Sequence, residues 1–330
     1  MEYTQNTEPE GSALGQDKFE TPLFQEFSDR LNLTHIKESL YFPKYFEIET
    51  VNACNARCVM CTIDDWEKVR NPIMSDKLFE KFVKEISDHH KWVDQVSLNR
   101  DGEPTLDKNL HKKIKSLKDT GIKQVTMATN VQLLDEKRIH QYLDAGLDDI
   151  MVSIDGISKK TFEEIRVNLN YETVVQNTLN LIKIRDQKNS PLIIRLRMII
   201  MDSNKHEVQD WISFWKDKIG PNDQVYAKAA HTWGNQLNRE TDKNIKAYAD
   251  RPCIAPFSSM IIHTDGTVPM CSIDYSSKVK VGNFSKNSIV EIWNDEPLMN
   301  IRKLHASARR NEIDLCQGCR IWEEDRKTWS

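Results

Sequence analysis

The chain has 330 residues, 39% of them hydrophobic and 29% charged, and a formal net charge of −4. This balance fits a globular protein with room for two domains, or for one large α/β domain with an appendage, and it excludes a basic stripe for nucleic acid. No apolar run approaches the roughly 18–20 residues of a membrane span, and the start Met1-Glu2-Tyr3-Thr4-Gln5 has no secretion-signal character, so a cytoplasmic protein with no membrane or nucleic-acid partner is expected.

Residues 1–44 are polar and read as an arm or cap with a short helix at 23–31. From Tyr45 onward strands and helices alternate. Strands are predicted at 46–51, 95–98, 124–128, 150–154, 192–200 and 224–230. Helices are predicted at 75–88, 106–119, 135–145, 158–166, 171–187 and 206–218, with Ser75 as an N-cap and Gly146 as a stop. Such alternation predicts a parallel sheet, either doubly wound or a partial barrel, with ligands at the C-terminal ends of the strands. After Pro252 the pattern changes to a hairpin, 260–263 with 267–270 about Asp265-Gly266, then a helix at 289–305 and a closing Cys316-Gln317-Gly318-Cys319. The expected division is an arm at 1–44, a barrel at 45–235 and a small α+β module at 236–330.

The seven cysteines fall into two sets. Cys54, Cys58 and Cys61 lie in the string Cys54-Asn55-Ala56-Arg57-Cys58-Val59-Met60-Cys61. Three thiolates so spaced can hold three corners of a cubane iron–sulfur cluster, leaving one iron without a protein ligand. A zinc knuckle is the competing reading, although zinc sites more often use CxxC pairs. Cys253, Cys271, Cys316 and Cys319 make up the rest. They can ligate a second cluster fully or bind zinc. An odd cysteine count and a cytosolic composition argue against disulfides.

The first triplet resembles that of the radical S-adenosylmethionine (SAM) enzymes. The second set, with Gly266 before Cys271, Ile292-Trp293 and the terminal CxxC, resembles the SPASM and twitch modules appended to them. Four cysteines match the shorter twitch form. The resemblance implies a partial (β/α)6 radical SAM barrel with a C-terminal SPASM/twitch iron–sulfur module. Its cofactors would be a SAM-binding 4Fe–4S cluster on Cys54, Cys58 and Cys61, an auxiliary 4Fe–4S cluster and SAM itself.

The same resemblance points to further positions. Gly102 and Glu103, in Arg100-Asp101-Gly102-Glu103-Pro104, look like the motif that receives the SAM amino group; alone, Gly-Glu-Pro is a turn. Thr129 and Asn130 end the third strand, and Ser153 and Asp155 end the fourth, where the family holds the ribose or carboxylate of SAM. A strand-ending turn is the plainer reading of Asp155-Gly156. Arg166 matches a recurrent segment or anchors a helix. Arg195 and Arg197 share one face of the fifth strand, so that at least one points into the lumen or makes a surface ion pair. Met60 stands where the family often has an aromatic, and Val131 where glycine is frequent. His231 and Trp233, after the sixth strand, are candidate substrate contacts.

The implied chemistry is reductive cleavage of SAM and hydrogen abstraction from a small polar substrate, with a flavodoxin or ferredoxin as electron donor. With all four C-terminal cysteines used as ligands, the pattern is that of the twitch dehydrogenase acting on 2-deoxy-scyllo-inosamine. Oxidation of a sugar or aminocyclitol alcohol is therefore expected first. Epimerisation with Cys253 as hydrogen donor, decarboxylation or deamination of a sugar nucleotide, maturation of a ribosomal peptide and a non-enzymatic iron–sulfur scaffold are the alternatives.

Overall fold

The computed structural model of the protein describes residues 19–68, 70–231, 233, 236–237 and 251–319. The start of the expected arm, residues 1–18, and the junction at 238–250 lie outside the described residues.

Six strands in chain order build the main sheet: β1 (Tyr45–Ile48), β2 (Gln95–Ser97), β3 (Gln124–Thr129), β4 (Asp149–Ser153), β5 (Ile193–Ile200) and β6 (Gln224–Ala229). They pair in parallel in the spatial order 6-5-4-3-2-1. A doubly wound sheet reverses its strand order at a switch point. This order never reverses, so the sheet is a partial barrel, as the family resemblance implies. Along β5, Ile194, Leu196 and Met198 are buried, while Arg195 and Arg197 alternate with them on the more open face. One face of the strand therefore packs into the core and the other lines a hollow, polar lumen.

Several element ends follow from capping chemistry. Ser75 accepts a hydrogen bond from Leu78 N–H at the start of the helix Asp76–Ser87. Gly146, at φ +85°, closes Glu136–Ala145 in the left-handed conformation that glycine tolerates best. The helix expected at 289–305 is broken in two, Ile289–Asn294 and Glu296–Ala306. Asp295 ends the first and N-caps the second, and Pro297 supplies the first turn, where its missing N–H costs nothing.

The expected hairpin also needs correction. The turn about Gly266 exists, with Gly266 at φ +84° and the His263 N–H bonded to the Thr267 carbonyl. Its two arms, however, join different sheets. β7 (Ser259–Ile262) adds in parallel to the free edge of β1, with Phe46 opposite Met260 and Ile48 opposite Ile262. β8 (Thr267–Pro269) pairs antiparallel with β9 (Lys280–Asn283). Met260, Ile261 and Ile262 are apolar and end buried, and the uncovered edge of β1 offers them a ladder to complete. The C-terminal module is thus hydrogen-bonded into the barrel. The arm reinforces this seam, because Phe24 of the helix Pro22–Arg30 packs its ring edge-on to Phe257, 5.4 Å between centroids. No described helix is long and apolar enough to cross a membrane.

Candidate active site

The cysteine loop leaves β1 and is pinned to the far side of the barrel. Arg57–Cys58 pairs antiparallel with Arg166–Val167, placing Cys58 opposite Arg166. Arg166 Nη1 approaches Cys58 Sγ at 3.5 Å, and its Nε donates to Asp155 Oδ2 at 2.6 Å. The charges of Asp155 and Cys58 raise the Arg166 pKa against the opposing effect of burial. Asn130 Nδ2 lies 3.9 Å from Cys54 Sγ. Burial pushes the Cys54 thiol up to about 12, opposed by the Ala56 N–H and reinforced by the charges of Glu103 and Cys58. A thiol so placed becomes a thiolate only with a cationic partner such as a metal centre.

Two observations test which centre fits. All seven cysteines are free thiols. Among the described residues, the one group of three or more candidate ligand atoms lying within 4.8 Å of one another is Glu49, Asp101 and His263, and it contains no cysteine. A tetrahedral zinc at about 2.3 Å from each sulfur would draw thiolates to about 3.8 Å apart. Neither cysteine set brings three sulfurs within 4.8 Å of one another, which is in keeping with a multi-iron cluster rather than a single tetrahedral ion. The Glu49 group is no ion site, because Arg70 sits 3.2 Å from Glu49 and 3.5 Å from Asp101.

The three cysteines open on a cavity of about 300 Å³ at the C-terminal ends of the strands. Met60, Gly102, Glu103, Thr129, Asn130 and Ser153 line it. So do Arg166, Arg197, His231 and Trp233. Glycine is required at position 102 by close approach. A Cβ there would overlap the Val51 carbonyl oxygen and lie 2.7 Å from that of Ala53. Glu103 is fixed by four donors: Thr105 N–H, Thr105 Oγ1, Thr129 Oγ1 and Asn130 N–H, at 2.6–3.0 Å. Burial nevertheless raises its pKa. Val131 is buried with φ +52°, a region in which a β-branched residue is strained and glycine is not. Trp233 stacks edge-on between His231 and Tyr275, at 4.5 and 5.5 Å, and forms the wall toward the C-terminal module.

Two expected positions lie off this cavity. Asp155 is fully buried and spent on the Arg166 Nε and the Ile199 N–H, so it orients Arg166 from behind. Arg195 pairs with Asp149 at 2.8 Å and lines a second hollow of the lumen, toward the N-terminal ends of the strands.

Sequence reasoning assigned no role to Arg100 or Asp101, yet both line the cavity. Arg100 bonds Asp101 at 2.8 Å and donates to the Ser272 carbonyl, next to Cys271. Burial raises the Asp101 pKa against the opposing charge of Arg100. Nothing in a hydrophobic period marks such residues; the signal was their adjacency to Gly102.

Cys253, Cys271, Cys316 and Cys319 line one pocket in the C-terminal module. Burial and the neighbouring thiols raise the Cys271 and Cys316 pKa values, the same condition that favours a cationic centre in the first set.

Comparison with known proteins agrees with this geometry. The family model of the Radical SAM superfamily matches residues 48–214, about half of the chain, and that of an iron–sulfur cluster-binding domain, SPASM, matches 253–320. A probable GTP 3′,8-cyclase of Methanococcus maripaludis is 32% identical over 129 residues, 39% of this chain and 42% of the relative. The molybdenum cofactor biosynthesis protein moc-5 of Caenorhabditis elegans is 28% identical over 212 residues, 60% of this chain and 34% of the relative. The chain thus spans less than half the length of either. Among solved structures, BtrN in complex with AdoMet and 2-DOIA aligns with a TM-score of 0.57 at 18% identity, covering 84% of this chain and 92% of that one. SuiB of Streptococcus suis bound to S-adenosylmethionine aligns at 0.60 and 14% identity, covering 90% and 75%. These structures share the fold. With the two family matches on one chain, the protein belongs to the radical SAM superfamily, carries a C-terminal SPASM domain, and takes a SAM-binding 4Fe–4S cluster, an auxiliary cluster and SAM as its cofactors.

Proposed function

We propose that this enzyme oxidises a hydroxyl-bearing carbon of a sugar or aminocyclitol. The observation that carries the reading is the partition of the cysteines. Of the chain's seven, three line the barrel cavity and four line the C-terminal pocket, so no thiol is left in the cavity to return a hydrogen atom to substrate. When bound, the reduced cluster and SAM supply a 5′-deoxyadenosyl radical, the hydrogen-abstracting agent.

In this reading Cys54, Cys58 and Cys61 hold the SAM-binding cluster, and Cys253, Cys271, Cys316 and Cys319 hold the auxiliary one. Met60, Gly102, Glu103, Thr129, Asn130, Ser153, Arg166 and Arg197 receive SAM, with Asp155 fixing Arg166. His231 and Trp233 contact substrate. The substrate carbon would lose a hydrogen atom and its hydroxyl a proton; Cys253, Cys271, Cys316 and Cys319 would hold the auxiliary cluster, which would supply the acceptor for the remaining electron. Asp101 is the candidate proton acceptor: Glu103 is held by four donors, whereas Asp101 Oδ2 accepts no hydrogen bond among the described residues and has the Arg70 guanidinium beside it, at 3.5 Å. A flavodoxin or ferredoxin would supply the initiating electron.

A second reading, peptide modification, draws support from the fold neighbours SuiB bound to precursor peptide SuiA and anSMEcpe with bound Cp18Cys peptide. The test is anaerobic reconstitution of wild type and Cys58→Ala, followed by SAM, dithionite and polyols deuterated at the carbinol carbon. About eight irons per chain, with deuterium in 5′-deoxyadenosine and a ketone product in wild type alone, supports alcohol oxidation. Deuterium transfer from peptides but from no polyol supports the second reading.

A further inference from the structure

The C-terminal pocket holds one imidazole with both ring nitrogens committed. His305 is 1% exposed and closes the helix Glu296–Ala306 on the pocket side. Its Nδ1 lies 3.0 Å from the Cys253 backbone nitrogen, which can only donate, so Nδ1 accepts and the ring proton resides on Nε2. That Nε2 lies 3.6 Å from Cys316 Sγ. The backbone of one cysteine thus sets the tautomer that directs an N–H at the sulfur of another. Arg310, also buried and on the pocket lining, donates to the Cys319 carbonyl at 2.6 Å, while its Nε has no hydrogen-bond partner among the described residues.

We propose that His305 is a potential-setting residue of the auxiliary cluster: its Nε2–H donates to the Cys316 sulfur and raises the reduction potential, with Arg310 adding positive charge from the same wall. Hydrogen bonds to cluster sulfurs withdraw electron density from the iron core and favour the reduced form. A cluster so poised is an electron acceptor. This deepens the dehydrogenase reading and rests on its assignment of the four C-terminal cysteines as ligands.

The experiment is an EPR-monitored redox titration of the reconstituted full-length enzyme, the auxiliary signal being the one that survives Cys58→Ala. In His305→Phe the midpoint is expected to move to more negative potential at unchanged iron content. His305→Gln, which keeps an N–H near Nε2, is expected to restore most of the shift. An unchanged midpoint in His305→Phe overturns the proposal. Should His305→Phe lose iron, pulsed EPR of the reduced wild-type cluster decides. A weakly coupled exchangeable proton supports the hydrogen bond, and the strong nitrogen coupling of a bound imidazole overturns it in favour of His305 as a ligand. Iron content that is indifferent to Cys316→Ala and Cys319→Ala would instead sink the cysteine assignment, which separates that failure from this one.

Discussion

Arg166 and Cys58 face each other across a two-residue antiparallel bridge, with the guanidinium 3.5 Å from the sulfur and anchored by Asp155 at 2.6 Å. One arginine therefore joins the cluster loop to the end of β4. The planar fork makes this geometry, since one nitrogen reaches the carboxylate while another reaches the sulfur.

Lysine cannot span both partners from a single ammonium. Arg166→Lys is expected to lower 5′-deoxyadenosine formation by about 10- to 100-fold, the worth of one charge-assisted hydrogen bond of about 1.5–3 kcal/mol. Asp155→Asn keeps an acceptor and should cost less. Initial rates of SAM cleavage at matched iron content check both; equal rates in Arg166→Lys and wild type would remove the bond from the mechanism.

Gly102→Ala tests close approach. The added Cβ meets two carbonyl oxygens of the segment leading into the cluster loop, and backbone atoms cannot swing aside as a side-chain tip can. The substituted chain should lose SAM cleavage and melt several degrees lower while keeping the auxiliary iron. Gly220→Ala, whose Cβ would find Asp223 at an ordinary 3.4 Å, serves as the neutral control. Both are read by iron content and calorimetry.

Much of this was legible in the chain. Period-two and helical patterns located the six βα units, because buried parallel strands are short apolar runs with helices between them. The cysteine spacings divided the thiols into two sets, and each set lines one cavity. What stayed hidden depends on partners distant in sequence. Residues 259–262 look alike as a hairpin arm and as an edge strand, and only the free ladder of β1 decides between them. Arg195 and Arg197 are two apart on one face, yet they serve different hollows because only Arg195 meets an aspartate. His305 looks like a helix end until the Cys253 backbone arrives opposite it.

The β1–β7 seam is locked just beyond its ladder by Glu49 and His263, fully buried and 3.0 Å apart, with Arg70 behind Glu49. Burial alone would raise the Glu49 pKa; the hydrogen bond and charge of His263, then Arg70, hold it down at about 2. The folded value lies below the ordinary 4.5, so this stabilisation is full above 4.5 and is lost as pH falls toward about 2. Glu49→Gln is expected to cost roughly 3–5 kcal/mol at neutral pH, as for a broken buried pair. Barrel and module should still melt in one calorimetric transition, and the gap to wild type should narrow below pH 4.5. Two separated transitions would show that the seam does not couple them.

Arg195 and Arg197 provide the sharpest division of roles within one strand. Arg195 is neutralised by Asp149 at 2.8 Å, in the hollow away from the cysteines. Arg197 lines the cysteine cavity, reaches only Ser153 Oγ at 3.4 Å, and has no hydrogen bond at Nε among the described residues. A guanidinium held there without a carboxylate is matched to an anionic group brought by a ligand. Arg197→Gln is accordingly expected to weaken SAM binding by about 10- to 100-fold, one charge-assisted contact. Arg195→Gln should leave that affinity unchanged but lower the melting temperature, because Asp149 is then stranded. Equilibrium SAM binding to the reconstituted enzyme, measured without reductant, separates the two. If Arg197→Gln binds SAM like wild type and only product formation falls, the anion that Arg197 awaits belongs to the substrate.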